Sequence, residues 1–196
     1  MRLEEILHAL RAEGLEPELT GDANIDFDID QLTADSRMVR PNGLFVATRG
    51  ESADGHLFID KAVNNGAIAI VHEAMPGGHT LVESVSPGIA SVRVTNSKVA
   101  LGIIAAVICD LPSSAVACVG VTGTNGKTTT SFLLYQLFES VGLKSGLIGT
   151  IEYRAGRKFI EATHTTPDAI ALQRLLSEMR SAGCKYCSME VSSHAL

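Results

Sequence analysis

The stretch Val116-Ala-Cys-Val-Gly-Val-Thr-Gly-Thr-Asn-Gly-Lys-Thr-Thr129 decides the fold. Its first six residues have the apolar character of a buried strand, and residues 127–141 carry helical periodicity. A Gly/Thr loop between a buried strand and an amphipathic helix is where a triphosphate site belongs. Gly123 and Gly126 let the backbone turn so that successive N–H groups point inward, and the helix N-terminus adds partial positive charge. Lys127 can reach the outer phosphates, and the Thr128 hydroxyl is placed to ligate Mg²⁺. The standard Walker pattern would have glycine at 121, where this chain has valine. The dinucleotide fingerprint GxGxxG is not matched, which weighs against NAD or FAD. No Asn-Lys-x-Asp signature for guanine occurs either.

Working outward, residues 143–151 read as a second strand. Thr166-Pro167-Asp168 supplies an N-cap, a proline at the first helical position and an acid in the first turn of a helix reaching about Ala182. The strand at residues 185–191 follows and ends in Glu190. A phosphate-loop enzyme needs an acidic group at a neighbouring strand end to hold its metal, so Glu190 joins Thr128 as a candidate metal ligand and Lys127 as a candidate catalytic residue. Strands alternating with helices of this length predict a mostly parallel sheet.

Upstream, Leu3, Ile6, Leu7 and Leu10 share one helical face, and Gly14 closes that helix. Leu44-Phe-Val-Ala47 and Ala67-Ile-Ala-Ile-Val71 read as buried strands around a helix at residues 57–64 that ends at Asn65-Gly66. Val92-Arg-Val94 is a further strand, and Asn96 caps a helix to about Cys109. The polar Leu111-Pro-Ser-Ser114 is the best linker. The expected organisation is therefore α/β throughout: a small α/β domain at residues 1–111, then the first part of a mononucleotide-binding domain at residues 112–196.

A composition of 45% hydrophobic and 19% charged residues is that of a globular chain, and the net charge of -6 gives no footprint for nucleic acid. The longest apolar run, residues 99–109, is too short to span a bilayer, and the N-terminus lacks signal-peptide character, so a cytoplasmic protein is the expectation. Cys184-Lys-Tyr-Cys187 has CxxC spacing but leads into a strand rather than opening a helix. The four cysteines, Cys109, Cys118, Cys184 and Cys187, read as buried, reduced thiols.

The loop at 122–128, followed after about sixty residues by Met189-Glu-Val-Ser-Ser-His194, resembles the Mur ligase family. Thr33-Ala-Asp-Ser-Arg37, Gly43-Leu-Phe-Val-Ala47, Gly50 and Asp54-Gly55 are similar to the nucleotide-sugar domain of the branch that adds the third residue to the UDP-linked peptide. The resemblance covers essentially the whole chain. It implies that Gly123, Thr124, Asn125, Gly126, Lys127, Thr128 and Thr129 bind ATP with Mg²⁺. It further implies that Ala34 and Ser36, with Glu51, Ser52 and Ala53, lie against the UDP portion of the substrate. His164, Thr165, Thr166 and Ser192 would meet its muramoyl-peptide part, while His194 has no assigned role. The family's residue preceding Thr165 is often asparagine, so His164 is a departure from the pattern.

The implied reaction is ATP-dependent amide formation on UDP-N-acetylmuramoyl-L-alanyl-D-glutamate through an acyl phosphate, with meso-diaminopimelate expected ahead of L-lysine. Family members continue into a further domain that binds the amino acid, so a chain ending just after the third strand of its second domain is expected to be truncated, inactive in ligation alone and left with an unfinished sheet edge. Two alternatives stay open at this point. One is a non-catalytic nucleotide-binding module; the other is a superfamily ligase of the folylpolyglutamate synthetase type, against which residues 25–55 argue.

Overall fold

A computed structural model describes residues 1–20, 28–50, 53–73, 88–162 and 164–193. The chain divides into two compact units, Met1–Ile108 and Cys109–Leu196. In the first, α1 (Leu3–Ala12) buries Leu3, Ile6, Leu7 and Leu10, the stripe that the sequence periodicity predicts. Glu4 and Glu5 in its first turn and Arg11 in its last complement the helix dipole.

The first sheet contains β1 (Glu18–Thr20), β2 (Gln31–Thr33), β3 (Gly43–Val46), β4 (Ala67–His72) and β5 (Ala90–Arg93), in the order β1-β5-β4-β3-β2. All pairings are parallel except β1 with β5. Every residue of β3 is buried, so both faces of the central sheet are covered. Phe45 packs with Ile59 and Ala62 of α2 (Ile59–Asn64) and with Ile70 of β4. Leu44 and Val46 point to the opposite face by the two-residue period of a strand. Before α2 a 3₁₀ turn spans Gly55–Phe58, so the expected helix start at Leu57 falls inside that turn and α2 begins two residues later. Asn96 caps α3 (Ser97–Ile108) as expected: its Oδ1 accepts from the Val99 N–H at 3.0 Å.

The second unit begins with a 3₁₀ turn, Pro112–Ser114, whose proline is buried, where the sequence suggested an open linker. It continues through β6 (Ala117–Val121), α4 (Lys127–Ser140), β7 (Ser145–Ile148), β8 (Glu152–Ala155), β9 (Lys158–Glu161), α5 (Ala169–Ser181) and β10 (Tyr186–Glu190). The sheet order is β6-β10-β7-β8-β9. β6, β10 and β7 are parallel, whereas β8 and β9 form an antiparallel hairpin that the sequence reading did not contain. The hairpin turns at Gly156-Arg157, with Gly156 at φ 61°, a conformation open to glycine at the first position of a two-residue turn.

Alternation along β10 positions the chemistry. Tyr186 stacks on Phe138 of α4, ring centroids 4.9 Å apart, so Ser188 and Glu190 share that α4-facing side. Cys187 faces the other way, into a core with Ile148, Tyr153, Leu175, Leu176 and Met179. There α5 lies so close that a Cβ on Gly146 would stand 2.3 Å from the Met179 sulfur. Cys184 and Cys187 are buried, as expected, but Cys118 is exposed on β6 and Cys109 is only partly covered. Cys118 belongs to the outer strand of the sheet, where the expectation of burial fails among the described residues.

Candidate functional site

Three parallel strands of the second unit end side by side, and the connections leaving their carboxyl ends converge, as ligand sites do in open α/β sheets. From β6 comes the loop at residues 122–126, exposed along its length. Gly123 has φ 143° and Gly126 φ 81°, backbone that residues with a Cβ rarely adopt. Gly126 is the N-cap of α4 and offers no side chain to its first N–H groups, so these remain available to an anion. Lys127 Nζ donates to the Gly123 carbonyl at 2.8 Å, folding its charge back over the loop. Thr124, Asn125 and Thr129 are exposed beside it.

From β10 comes Glu190, 1% exposed, across the site from the start of α4. Its Oε2 accepts from Thr128 Oγ1 at 3.0 Å, so the two groups expected to hold a metal are adjacent. A hydroxyl and a carboxylate are hard oxygen donors suited to Mg²⁺, which keeps water and substrate phosphate in its remaining positions. Among the described residues there is no group of three or more His, Cys, Asp or Glu that could hold a metal ion.

From β7 comes the turn Gly149-Thr150, which the sequence reading had extended as strand to Ile151. Thr150 donates to Glu190 twice, from N–H to Oε1 at 2.8 Å and from Oγ1 to Oε2 at 3.1 Å. Gly149 makes room for this: a Cβ there would lie 2.7 Å from Oε1. Thr150 Oγ1 is also 3.2 Å from Thr165 Oγ1. Sequence reasoning missed Thr150, and a Gly-Thr pair after a strand carries no distinctive spacing.

Residues 164–166 are held beside this cluster. The Tyr153 hydroxyl donates to the His164 carbonyl at 2.5 Å and accepts from the His164 N–H at 3.1 Å. Thr166 is not the N-cap of α5. Asp168 is, its carboxylate accepting from Ala171 N–H at 2.8 Å, because the helix starts one residue after Asp168 rather than at Pro167. Thr166 Oγ1 instead donates to the Glu190 carbonyl at 3.1 Å and accepts from Ser192 N–H at 3.0 Å. Thr128, Thr165, Thr166, Glu190 and Ser192 are thus brought into one connected group. A cavity of about 200 Å³ adjoins it, lined in part by Thr128, Phe132, Gly149, Arg154 and Glu190.

The first unit contains a separate cavity of about 480 Å³. Ala34, Ser36 and Ala53 line it, while Glu51, Ser52 and His194 lie outside the described residues. Asp35, Arg37 and Lys61 also line it and were not singled out from sequence for this role. Asp35 caps the turn Ser36–Met38 and takes the Arg37 guanidinium on both carboxylate oxygens. Those hydrogen bonds hold its pKa down at about 2.

Next to Ala53 a chain of hydrogen bonds runs through the buried ring of His56. Asp54 Oδ1 accepts from the His56 backbone N–H at 3.0 Å and stands 2.6 Å from His56 Nδ1. His56 Nε2 accepts from Glu73 N–H at 2.9 Å, so the neutral ring carries its proton on Nδ1. Burial pushes the Asp54 pKa up, but these bonds and the Arg49 charge together keep it below the usual range. Glu73 Oε1 then accepts from the N–H and hydroxyl of Ser97 at the start of α3.

Residues 28–108 match the model described as the Mur ligase family, catalytic domain, and residues 121–196 match the Mur ligase middle domain. The UDP-N-acetylmuramoyl-L-alanyl-D-glutamate–2,6-diaminopimelate ligase of Cytophaga hutchinsonii is 49% identical over 170 residues, covering 87% of this chain and 34% of that protein. The ligase of the same name from Phocaeicola vulgatus is 40% identical over 196 residues, covering 100% of this chain and 38% of that protein. A solved structure of a ligase of that name is similar with TM-score 0.62 at 26% identity, over 87% of this chain and 34% of that one. MurF from Acinetobacter baumannii shares the fold with TM-score 0.61 at 20% identity, over 98% of this chain and 36% of that one. The chain spans little more than a third of the length of these relatives. The phosphate loop and the carboxylate beside it are accordingly the features of a chain that belongs to the Mur ligase family.

Proposed function

We propose that this chain supplies the UDP-binding and ATP-binding parts of an ATP-dependent ligase that adds meso-diaminopimelate to UDP-N-acetylmuramoyl-L-alanyl-D-glutamate in peptidoglycan precursor synthesis. The observation that carries the reading is the contact between Thr128 and Glu190 at the head of an uncapped helix, beside residues 164–166. In the reaction the γ-phosphoryl group of ATP passes to the terminal D-glutamyl carboxylate, giving an acyl phosphate and ADP. The amine of the incoming amino acid attacks that carbonyl, and inorganic phosphate leaves as the amide forms.

The barrier is chiefly the approach of two polyanions, so the work of these residues is positioning and charge compensation. A bound Mg²⁺, held by Thr128 and Glu190, would neutralise charge on the outer phosphates. The amides at the start of α4 donate to the phosphate chain, and Lys127 exchanges the Gly123 carbonyl for a phosphate oxygen. In this reading Thr165, Thr166 and Ser192 receive the acceptor end of the UDP-peptide, and the first-unit cavity takes its nucleotide end. The setting is the bacterial cytoplasm, where both nucleotides are available; among the described residues no helix is long and apolar enough to cross a membrane.

The test is calorimetric titration of the chain with the UDP-dipeptide and, separately, with ATP and Mg²⁺. Lys127→Ala should weaken ATP about tenfold to a hundredfold, the range for a hydrogen bond to a charged group, and leave the UDP-peptide unaffected. Ser36→Ala should do the reverse. A folded chain that binds neither ligand overturns the proposal.

A further inference from the structure

We propose that Thr150 is a positioning residue for the metal-holding carboxylate and couples it to the peptide-binding stretch; this rests on reading Thr128 and Glu190 as the Mg²⁺·ATP site. Glu190 is almost fully buried, yet to hold a metal its carboxylate must keep one fixed orientation. Thr150 supplies that orientation through two atoms, its N–H on Oε1 and its hydroxyl on Oε2. Gly149 supplies the space, since a Cβ there would collide with Oε1.

Hydrogen-bond polarity then fixes a direction. A carboxylate oxygen only accepts, so the single Thr150 hydroxyl proton goes to Glu190. The 3.2 Å contact with Thr165 is therefore made by the Thr165 hydroxyl donating to Thr150. Thr165 is left presenting lone pairs outward, as an acceptor for a substrate N–H or O–H. Thr128 bonds the same oxygen, Oε2, as the Thr150 hydroxyl, so Thr128 can turn its oxygen to a metal while Thr150 keeps hold of Glu190 through both carboxylate oxygens. Groups that orient a ligating carboxylate typically change metal affinity by about 10–100-fold. Thr150 is exposed, so the lower end applies.

The experiment uses the chain with ATP and Mn²⁺, following free Mn²⁺ by electron paramagnetic resonance, alongside ATP affinity in the presence of EDTA. Thr150→Val removes the hydroxyl and keeps the N–H. It should weaken Mn²⁺ binding in the ATP complex about tenfold, leave metal-free ATP affinity unchanged, and be rescued by Thr150→Ser. Gly149→Ala, which displaces the end of a flexible side chain rather than backbone, should weaken Mn²⁺ as well. Wild-type Mn²⁺ affinity in Thr150→Val, or an equal loss of ATP affinity in EDTA, would overturn the assignment. Absence of metal-dependent ATP binding in the wild-type chain would instead defeat the reading of the site, and the assignment with it.

Discussion

Lys61 stands on α2 at the wall of the larger cavity, near the Asp35–Arg37 pair. Arg37 is committed to Asp35 through three side-chain hydrogen bonds, so a diphosphate entering the cavity meets Lys61 as a cation still able to turn toward it. Lys61→Met should weaken UDP binding roughly threefold to tenfold, a charged contact discounted for its exposure. The salt dependence of binding should fall with it; an unchanged salt dependence would remove Lys61 from the site. The Asp35 pKa lies below its unfolded value, so the pair's contribution is present above the ordinary carboxylate range and is lost only as pH falls toward about 2. Ser36 is legible because Thr33-Ala-Asp-Ser-Arg37 resembles a family motif, whereas Asp35 reads from sequence only as a turn residue. A lone lysine on a six-residue helix has no recognisable job until the fold places it, and Thr150 escaped notice for the same reason.

At the scale of elements, long periodic segments were readable and short or paired ones were not. The stripe of α1, the buried runs of β3 and β4, and the strand, loop and helix at 117–140 all stand in the structure, but β6 is an exposed edge strand where its apolar run suggests a buried one. β1 and β2, three residues each, have too few positions to show a period. The β8–β9 hairpin was missed although Glu152-Tyr-Arg-Ala155 and Lys158-Phe-Ile-Glu161 flank a Gly-Arg pair, a turn signal weaker than Asn-Gly. Tyr153, which clamps residues 164–166, sits on that hairpin. β4 and β5 are tied by a buried polar link, His72 Nε2 accepting from Ser91 Oγ at 2.9 Å while Nδ1–H donates to the Glu73 carbonyl. Burial lowers the His72 pKa, and the Arg93 charge acts in the same direction. The native state thus binds fewer protons than the unfolded chain below about 6.5, and stability should fall as pH drops through that value. Urea midpoints measured between pH 8 and pH 5.5 should decline in the wild type and decline less in His72→Gln. Equal slopes would mean that another group sets the acid limb.

For the whole molecule, the two candidate sites fall in different compact units, and the tyrosines happen to be sorted in a useful way. The chain has no tryptophan, and its three tyrosines, Tyr135, Tyr153 and Tyr186, all belong to the second unit. Tyrosine fluorescence followed on heating therefore reports that unit alone, while far-UV circular dichroism reports both. A ligand at about one hundred times its dissociation constant stabilises the unit it binds by roughly 2.7 kcal/mol. For units of this size that is a rise in Tm of about 10–20 °C. ATP with Mg²⁺ should raise the tyrosine transition by such an amount and Lys127→Ala should abolish the shift, because the loop at 122–126, Glu190 and all three reporters belong to one compact unit. UDP should leave the tyrosine transition in place and move only the dichroism component that tyrosine does not follow, since every residue lining its cavity precedes Ile108. A tyrosine transition that UDP raises as much as ATP does would mean that the nucleotide-sugar site and the phosphate site are thermodynamically linked before any chemistry takes place. The assignment of one ligand to each unit would then fail as a description of how this chain binds.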